Sequence, residues 1–305
     1  MESWLLHAEP LVLKRAGSNS SERNNVVAKA LTGKTAIVTG ASSGIGSAIA
    51  MALAVEGAEV YAVGRTESAL KQLLEAIAKT GGKAHAVVAD LRDPSTISGI
   101  VDRAVKETGR LNIMVNNAGL SHPGAIATGK FEHWREMFET NVLALLAGSQ
   151  AAIKAMRKGK VEGHIVNISS IAGRREGAGV YGATKAAVNT IGDTLRAELE
   201  NDSIRVVQIM PGAVMTNFGR NFPPQVIQGL LSAMGENAAP DTSGKLPDEV
   251  IQRAQAKAAQ MFAHAEDVAR AVVYAVTQPI TLNIFEMVVR PQRGLPESVV
   301  RPATD

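Results

Sequence analysis

Cysteine is absent from this 305-residue chain, which excludes disulfides, thiolate metal sites and cysteine nucleophiles together and makes a reducing, cytoplasmic compartment the expectation. Also missing is any run near the roughly 18 uninterrupted apolar residues that a membrane-spanning helix needs, so no membrane partner is expected. Charge of one sign is not in excess. Thirty-two Lys and Arg against 29 Asp and Glu leave a formal net charge of +3, and the basic residues are scattered rather than blocked, which argues against a nucleic-acid groove. The histidines, His7, His85, His122, His133, His164 and His264, form no spaced ligand set with one another or with a carboxylate cluster, so no catalytic metal is expected. No internal repeat is apparent.

What remains is the balance of an ordinary globule, with 46 % hydrophobic and 20 % charged residues, long enough for a sizeable α/β core. Residues 1–30 stand apart. Their apolar start is interrupted by His7, Glu9 and Pro10 without a preceding basic region, so they do not read as a signal peptide. The Gly/Ser/Asn-rich stretch Ala16 to Asn25 reads as part of a flexible extension. Residues 31–290 read as one domain and 291–305 as a tail.

From Thr35 onward short β-branched runs alternate with longer amphipathic ones, the pattern of βαβ units. Strands are expected at 35–39, 59–63, 84–89, 112–115, 164–168, 205–209 and 284–289. Helices are expected at 47–56, 67–80, 94–108, 131–158, 180–200 and 265–277. The fold class is therefore α/β: a single doubly wound, Rossmann-type domain with a seven-stranded parallel sheet and helices on both faces. Residues 217–264 break the rhythm with a Gly/Pro/Asp/Ser-rich centre, and read as a substrate-covering lid before the last helix.

After the first strand comes Thr39-Gly40-Ala41-Ser42-Ser43-Gly44-Ile45-Gly46. A strand-to-helix turn with three glycines lets the backbone approach a pyrophosphate at the positive end of a helix. Gly40, Ser42, Ser43, Gly44, Ile45 and Gly46 are the candidate contacts. About 20 residues past such glycines an NAD enzyme places an acid for the ribose 2′-hydroxyl; here the chain reads Gly64-Arg65-Thr66. Arg65 can pair with a 2′-phosphate, which favours NADP over NAD, the plainer alternative being a solvated loop charge with Thr66 capping the next helix. Asp90-Leu91 ends the third strand and Asn117-Ala118-Gly119 follows the fourth, at the carboxyl edge where ligands sit in open α/β sheets.

Assembled in order, TGASSGIG at 39–46, NNAG at 116–119, Asn141, the serines at 169 and 170, Tyr181-Gly-Ala-Thr-Lys185 and Pro211-Gly212 with Thr216 resemble the short-chain dehydrogenase/reductase family over about residues 31–290. A shorter likeness at 282–291 points toward the branch of 3-hydroxy acid and clavulanate-type dehydrogenases. The resemblance implies an enzyme that moves hydride between NADP(H) and a carbonyl or secondary alcohol. Hydride addition to a carbonyl needs a proton delivered to the oxygen, and Tyr181 is the candidate acid. A phenol with a pKa of about 10 needs nearby positive charge to exchange protons at neutral pH, and Lys185 stands one helical turn away on the same face. The family's mechanism further implies that a serine hydroxyl bonds the substrate oxygen, that Lys185 also holds the nicotinamide ribose, that Asn141 supports a water-linked proton path, and that Pro211, Gly212 and Thr216 contact the nicotinamide carboxamide.

Two choices stay open on the sequence. Ser170 matches the motif's local order, whereas Ser169, 12 positions before Tyr181 instead of 11, fits the family's usual spacing better. The alternatives in function are an extended-type epimerase or dehydratase, against which the glycine spacing argues, and a non-catalytic NADP-binding regulator, against which the joint presence of Tyr181, Lys185, Ser170 and Asn141 argues. The partly apolar insertion favours a medium or large hydrophobic carbonyl substrate, and small residues in the 131–158 and 180–200 segments suggest a homodimer or homotetramer.

Overall fold

The computed structural model describes residues 29–214, 216 and 262–292. Nearly all of the 1–30 extension, most of the 217–264 insertion and residues 293–305 lie outside the described residues. Seven strands form one sheet: β1 (Thr35–Thr39), β2 (Glu59–Gly64), β3 (Lys83–Val88), β4 (Ile113–Asn116), β5 (Gly163–Ile168), β6 (Ile204–Pro211) and β7 (Glu286–Val289). They run parallel in the order β3-β2-β1-β4-β5-β6-β7. Between them lie α1 (Gly44–Val55), α2 (Glu67–Lys79), α3 (Pro94–Thr108), α4 (Phe131–Phe138), α5 (Ala144–Gly159), α6 (Gly179–Glu198) and α7 (Ala265–Val276). This is the doubly wound architecture expected from the alternation of the sequence.

Every residue of β1 and β4 is buried, because helices cover both faces and a central parallel strand has no solvent side. Side chains still alternate between two cores. Ala36 and Val38 face one core, with Leu53 of α1, Leu70 of α2 and Val272 of α7. Ile37 faces the other, with Ile97 of α3 and Met156 of α5. On α2 the buried positions Leu70, Leu73 and Ile77 fall on one helical stripe. Burial of each such side chain is worth roughly 1.5–3 kcal/mol, which outweighs helix propensity in placing the helices. α3 begins where the Asp93 carboxylate accepts from the Ser95 N–H at 2.9 Å and ends at Gly109 in the left-handed region, as a cap and a terminator should.

Two elements differ from the sequence expectation. α1 starts at Gly44, three residues early, so two of the turn's glycines lie in its first turn. The expected 131–158 helix is α4 and α5 joined by a π turn at Glu139–Leu143, whose extra residue apolar periodicity does not report. Strand order reverses between β1 and β4, opening a crevice at their carboxyl ends, where such sheets bind ligands.

Candidate active site

A cavity of about 580 Å³ occupies that crevice. Its floor is the glycine turn, held by Thr39. The Thr39 hydroxyl donates to the Val115 carbonyl at 3.1 Å and accepts the N–H groups of Asn117 and Ala118 at 2.9 and 3.0 Å. The Asn117 amide donates to the Thr39 carbonyl at 2.8 Å, so this residue fastens β4 to the turn as well as lining the cavity. A Cβ on Gly46 would stand 2.3 Å from the Gly40 carbonyl oxygen and 2.4 Å from the Asn117 amide nitrogen; only glycine fits. Gly40 and Gly44 have φ of 67° and 55°, in the region that favours glycine. Ser43 caps α1 without a side-chain hydrogen bond, and Ser42, Gly44, Ile45 and Gly46 line the cavity. First-turn N–H groups and the helix dipole there suit an anion such as a pyrophosphate.

At one end of the cavity Arg65 follows β2, while Asp90, Leu91 and Arg92 follow β3. Arg65 is exposed. The Asp90 carboxyl is held below the ordinary range, chiefly by its hydrogen bonds from Arg92. Thr66 is not on the cavity wall; it is the N-cap of α2.

The opposite end carries the groups suited to chemistry. Ser170 ends β5's run and caps a short 3-10 turn, its hydroxyl accepting the Ala172 N–H at 3.1 Å and donating to the Pro211 carbonyl at 3.4 Å. It also hydrogen-bonds Tyr181. Ser169 is turned to α6, where its hydroxyl donates to Asn189 at 2.5 Å and to the Lys185 carbonyl at 3.3 Å. Adjacent extended residues point to opposite sides, and of the two serines it is Ser170 whose hydroxyl meets Tyr181.

Lys185 is buried, its ammonium donating to the Ile168 carbonyl at 2.9 Å and lying 5.8 Å from the centre of the Tyr181 ring. Burial draws its pKa down to about 8. Burial pushes the Tyr181 phenol up to about 12, and the Ser170 hydrogen bond opposes that shift. Asn141 lies behind the cavity wall, in the π turn. Its carbonyl accepts the Leu120 N–H at 2.9 Å, and its amide donates to the Leu120 carbonyl and the Thr184 hydroxyl at 3.0 Å each. Thr184 in turn donates to the Tyr181 carbonyl at 2.7 Å.

Pro211 closes β6, and the Gly212 N–H donates to Val289 of β7 at 2.7 Å. Thr216 reaches back over the glycine turn: a Cβ on Gly44 would meet its side chain at 3.1 Å. The expected insertion leaves and returns at this mouth, where Val214 bridges Ala263 and Phe262 lines the cavity. His122 is not on the wall; it bonds Glu136 at 2.8 Å and stacks on His133. Among the described residues no group of three His, Asp or Glu side chains is arranged to hold a metal.

Sequence reading missed Thr39, Arg92, Thr184 and Asn189. Thr39 opens the quoted glycine motif, so its place was visible, but its hydroxyl's partners lie 76 to 79 residues away. Thr184 stands inside the quoted Tyr181-to-Lys185 motif, but its bond from Asn141 spans 43 residues; Asn189 meets Ser169 from 20 residues away, and no local pattern announces it.

The family model for short chain dehydrogenases matches residues 34–226. An uncharacterized oxidoreductase of Methylorubrum extorquens is 43% identical over 189 residues, 61% of this chain and 75% of the relative. A solved metagenomic short-chain oxidoreductase in complex with NADP superposes with a TM-score of 0.67 at 28% identity, over 87% of this chain and 99% of its own. A short chain dehydrogenase/reductase from Burkholderia phymatum in complex with NAD superposes with a TM-score of 0.68 at 25% identity, over 85% and 89%. With the sheet order, the glycine turn and the matched span in agreement, the chain belongs to the short-chain dehydrogenase/reductase family of oxidoreductases.

Proposed function

We propose that the protein is an NADP(H)-dependent oxidoreductase that moves hydride between the nicotinamide and a carbonyl or secondary alcohol, with Tyr181 as acid and base. The observation that carries this reading is the convergence of Tyr181, Ser170 and Lys185 on one end of a cavity whose floor is a glycine turn with no room for a Cβ at Gly46. Gly40, Ser42, Ser43, Gly44, Ile45 and Gly46 would hold the pyrophosphate. Arg65 would meet the 2′-phosphate, Asp90 and Leu91 the adenine side, and Asn117, Ala118 and Gly119 the ribose side. Pro211, Gly212 and Thr216 would contact the carboxamide. When bound, the nicotinamide dinucleotide supplies or takes up the hydride.

The chain's own residues handle the proton. With its phenol near pKa 12, Tyr181 is protonated at neutral pH and delivers its proton to the substrate oxygen as charge grows there. Ser170, already bonded to Tyr181, would turn its one hydroxyl proton from the Pro211 carbonyl, 3.4 Å away, to the same oxygen. The Lys185 charge lowers the cost of the phenolate that remains, and Asn141, tied through Thr184 to the Tyr181 carbonyl, keeps that turn of α6 in register. NADP rather than NAD follows from Arg65 and the missing acid after β2; solved relatives with NADP and with NAD both exist, so Arg65 is the argument. Phe262 and Leu120 on the wall support a hydrophobic substrate of medium or larger size. Exposed Leu143 and Leu146, one turn apart, support a homo-oligomer.

The test is Tyr181→Phe. Across a panel of ketones and aldehydes with NADPH, it is expected to cut turnover by at least about 10²-fold, as loss of a general acid does, with cofactor binding little changed. A variant as active as the parent on every carbonyl would end the proposed mechanism.

A further inference from the structure

Arg92 has no role in the proposed function, yet four hydrogen bonds run from it to one carboxylate of the cavity wall. Its Nε lies 3.1 and 3.0 Å from the two Asp90 carboxylate oxygens, its Nη2 2.6 Å from Oδ2, and its backbone N–H donates to Oδ1 at 3.1 Å. Such a fork is available to arginine and not to lysine. Both side chains are a little under half exposed and both line the cavity. Arg65 lies near enough to act on the same carboxylate through space. Glu136 and Glu139, from α4 and the π turn, act through space on Arg92.

The charges at this end of the cavity therefore have an order. An unpaired Asp90, backed by Glu136 and Glu139, would offset the field of Arg65. A phosphomonoester carries a charge of about −1.5 to −2 at neutral pH, so it would feel that offset strongly, and a 2′-hydroxyl would hardly feel it. Paired by Arg92, the carboxylate leaves the Arg65 charge dominant.

We propose that Arg92 is a specificity-determining residue: by neutralising Asp90 it lets Arg65 select a dinucleotide that carries a phosphate on its adenosine ribose. This rests on the NADP reading of the cavity. It adds that the preference is set by a three-residue charge arrangement, Arg65, Asp90 and Arg92, contributed by the ends of two neighbouring strands.

Calorimetric titration of the full chain with NADPH and with NADH measures the ratio of dissociation constants without knowledge of the substrate. Arg92→Leu is expected to move that ratio toward NADH by about fivefold at low salt, less at high salt. Arg92→Lys keeps the charge and is expected to retain most of the preference. Adding Asp90→Asn to Arg92→Leu removes the uncovered carboxylate and is expected to bring the ratio back to within about twofold of the parent. An unmoved ratio in Arg92→Leu, or a double variant as shifted as the single one, overturns the role of Arg92 while leaving an NADPH-preferring parent intact. A parent that binds NADH more tightly than NADPH overturns the NADP reading itself, and the proposal with it.

Discussion

Lys185 sits in an uncommon place for a lysine, buried with its ammonium on a single backbone carbonyl. The cost of that burial appears as a pKa near 8, and it has a kinetic consequence. The ammonium is charged below that value and neutral above it, whereas Tyr181, near 12, keeps its proton throughout. If the lysine charge is what eases proton release from Tyr181, kcat/KM for carbonyl reduction should fall as pH rises through about 8. In Lys185→Arg, where the charge persists, any residual activity should lose that alkaline fall. A profile flat to pH 10 in the parent would detach the lysine from the chemistry. At this scale Tyr181 and Lys185 were legible because their spacing is set by one helical turn. The choice between Ser169 and Ser170 was not. It depends on which face of an extended segment meets α6, and Asn189, which claims the Ser169 hydroxyl, stands 20 residues away.

Among the elements, α6 carries both Tyr181 and Lys185 and lies against the sheet through a glycine. A Cβ on Gly192 would stand 2.2 Å from the Gln208 side-chain oxygen on β6, closer than any real contact, so Gly192→Ala forces the helix outward or the glutamine aside. Overpacking of this kind costs about 1–3 kcal/mol, and a Tm lower by several degrees is expected in thermal unfolding. An unchanged Tm would mean that Gln208 yields freely. The same tight approach recurs at α5, where a Cβ on Gly148 would meet the Asn116 side-chain oxygen at 2.6 Å. Strands and helices of the expected order were readable from alternating periodicities, and α3 was readable to its ends because Pro94 and Gly109 mark them. The split of residues 131–158 was not readable: one extra residue in a helix leaves the apolar stripe nearly continuous, and the π turn shows only in the folded backbone, where it carries Asn141 with its paired bonds to Leu120.

For the whole molecule, the described surface leaves apolar side chains where α5 begins. Leu143 is 47% exposed and Leu146 41%, and neighbouring Phe138 adds to the patch. Singly such residues are ordinary, but three of them close together in the chain are where the proposed homo-oligomer would bury its interface. Light scattering is expected to give a multiple of the 32.0 kDa chain mass, and Leu146→Glu is expected to shift the protein toward the monomer. A parent of monomeric mass would refute the assembly. That ligands sit at the carboxyl edge of the sheet was legible from motifs that each follow a strand; the strand order, and with it the crevice between β1 and β4, was not, because it depends on pairings between strands far apart in the chain. Which charges balance around Asp90 was not legible either, because that depends on α4 folding back beside the end of β3.

The bridge between Val214 and Ala263 divides the molecule in a way the sheet alone does not. The chain departs from the cavity mouth and comes back to it at positions joined by a backbone hydrogen bond of 2.9 Å from Ala263 to Ala213. The two ends of the insertion are thus pinned together at the carboxyl edge of the sheet, and the entropic cost of a longer or shorter splice between pinned ends grows only slowly with its length. If the insertion is the substrate lid that its composition suggests, exchanging it as one cassette is expected to change which carbonyl is reduced while Tyr181→Phe still abolishes turnover on every substrate. A swap that leaves the carbonyl profile unmoved would place substrate choice elsewhere.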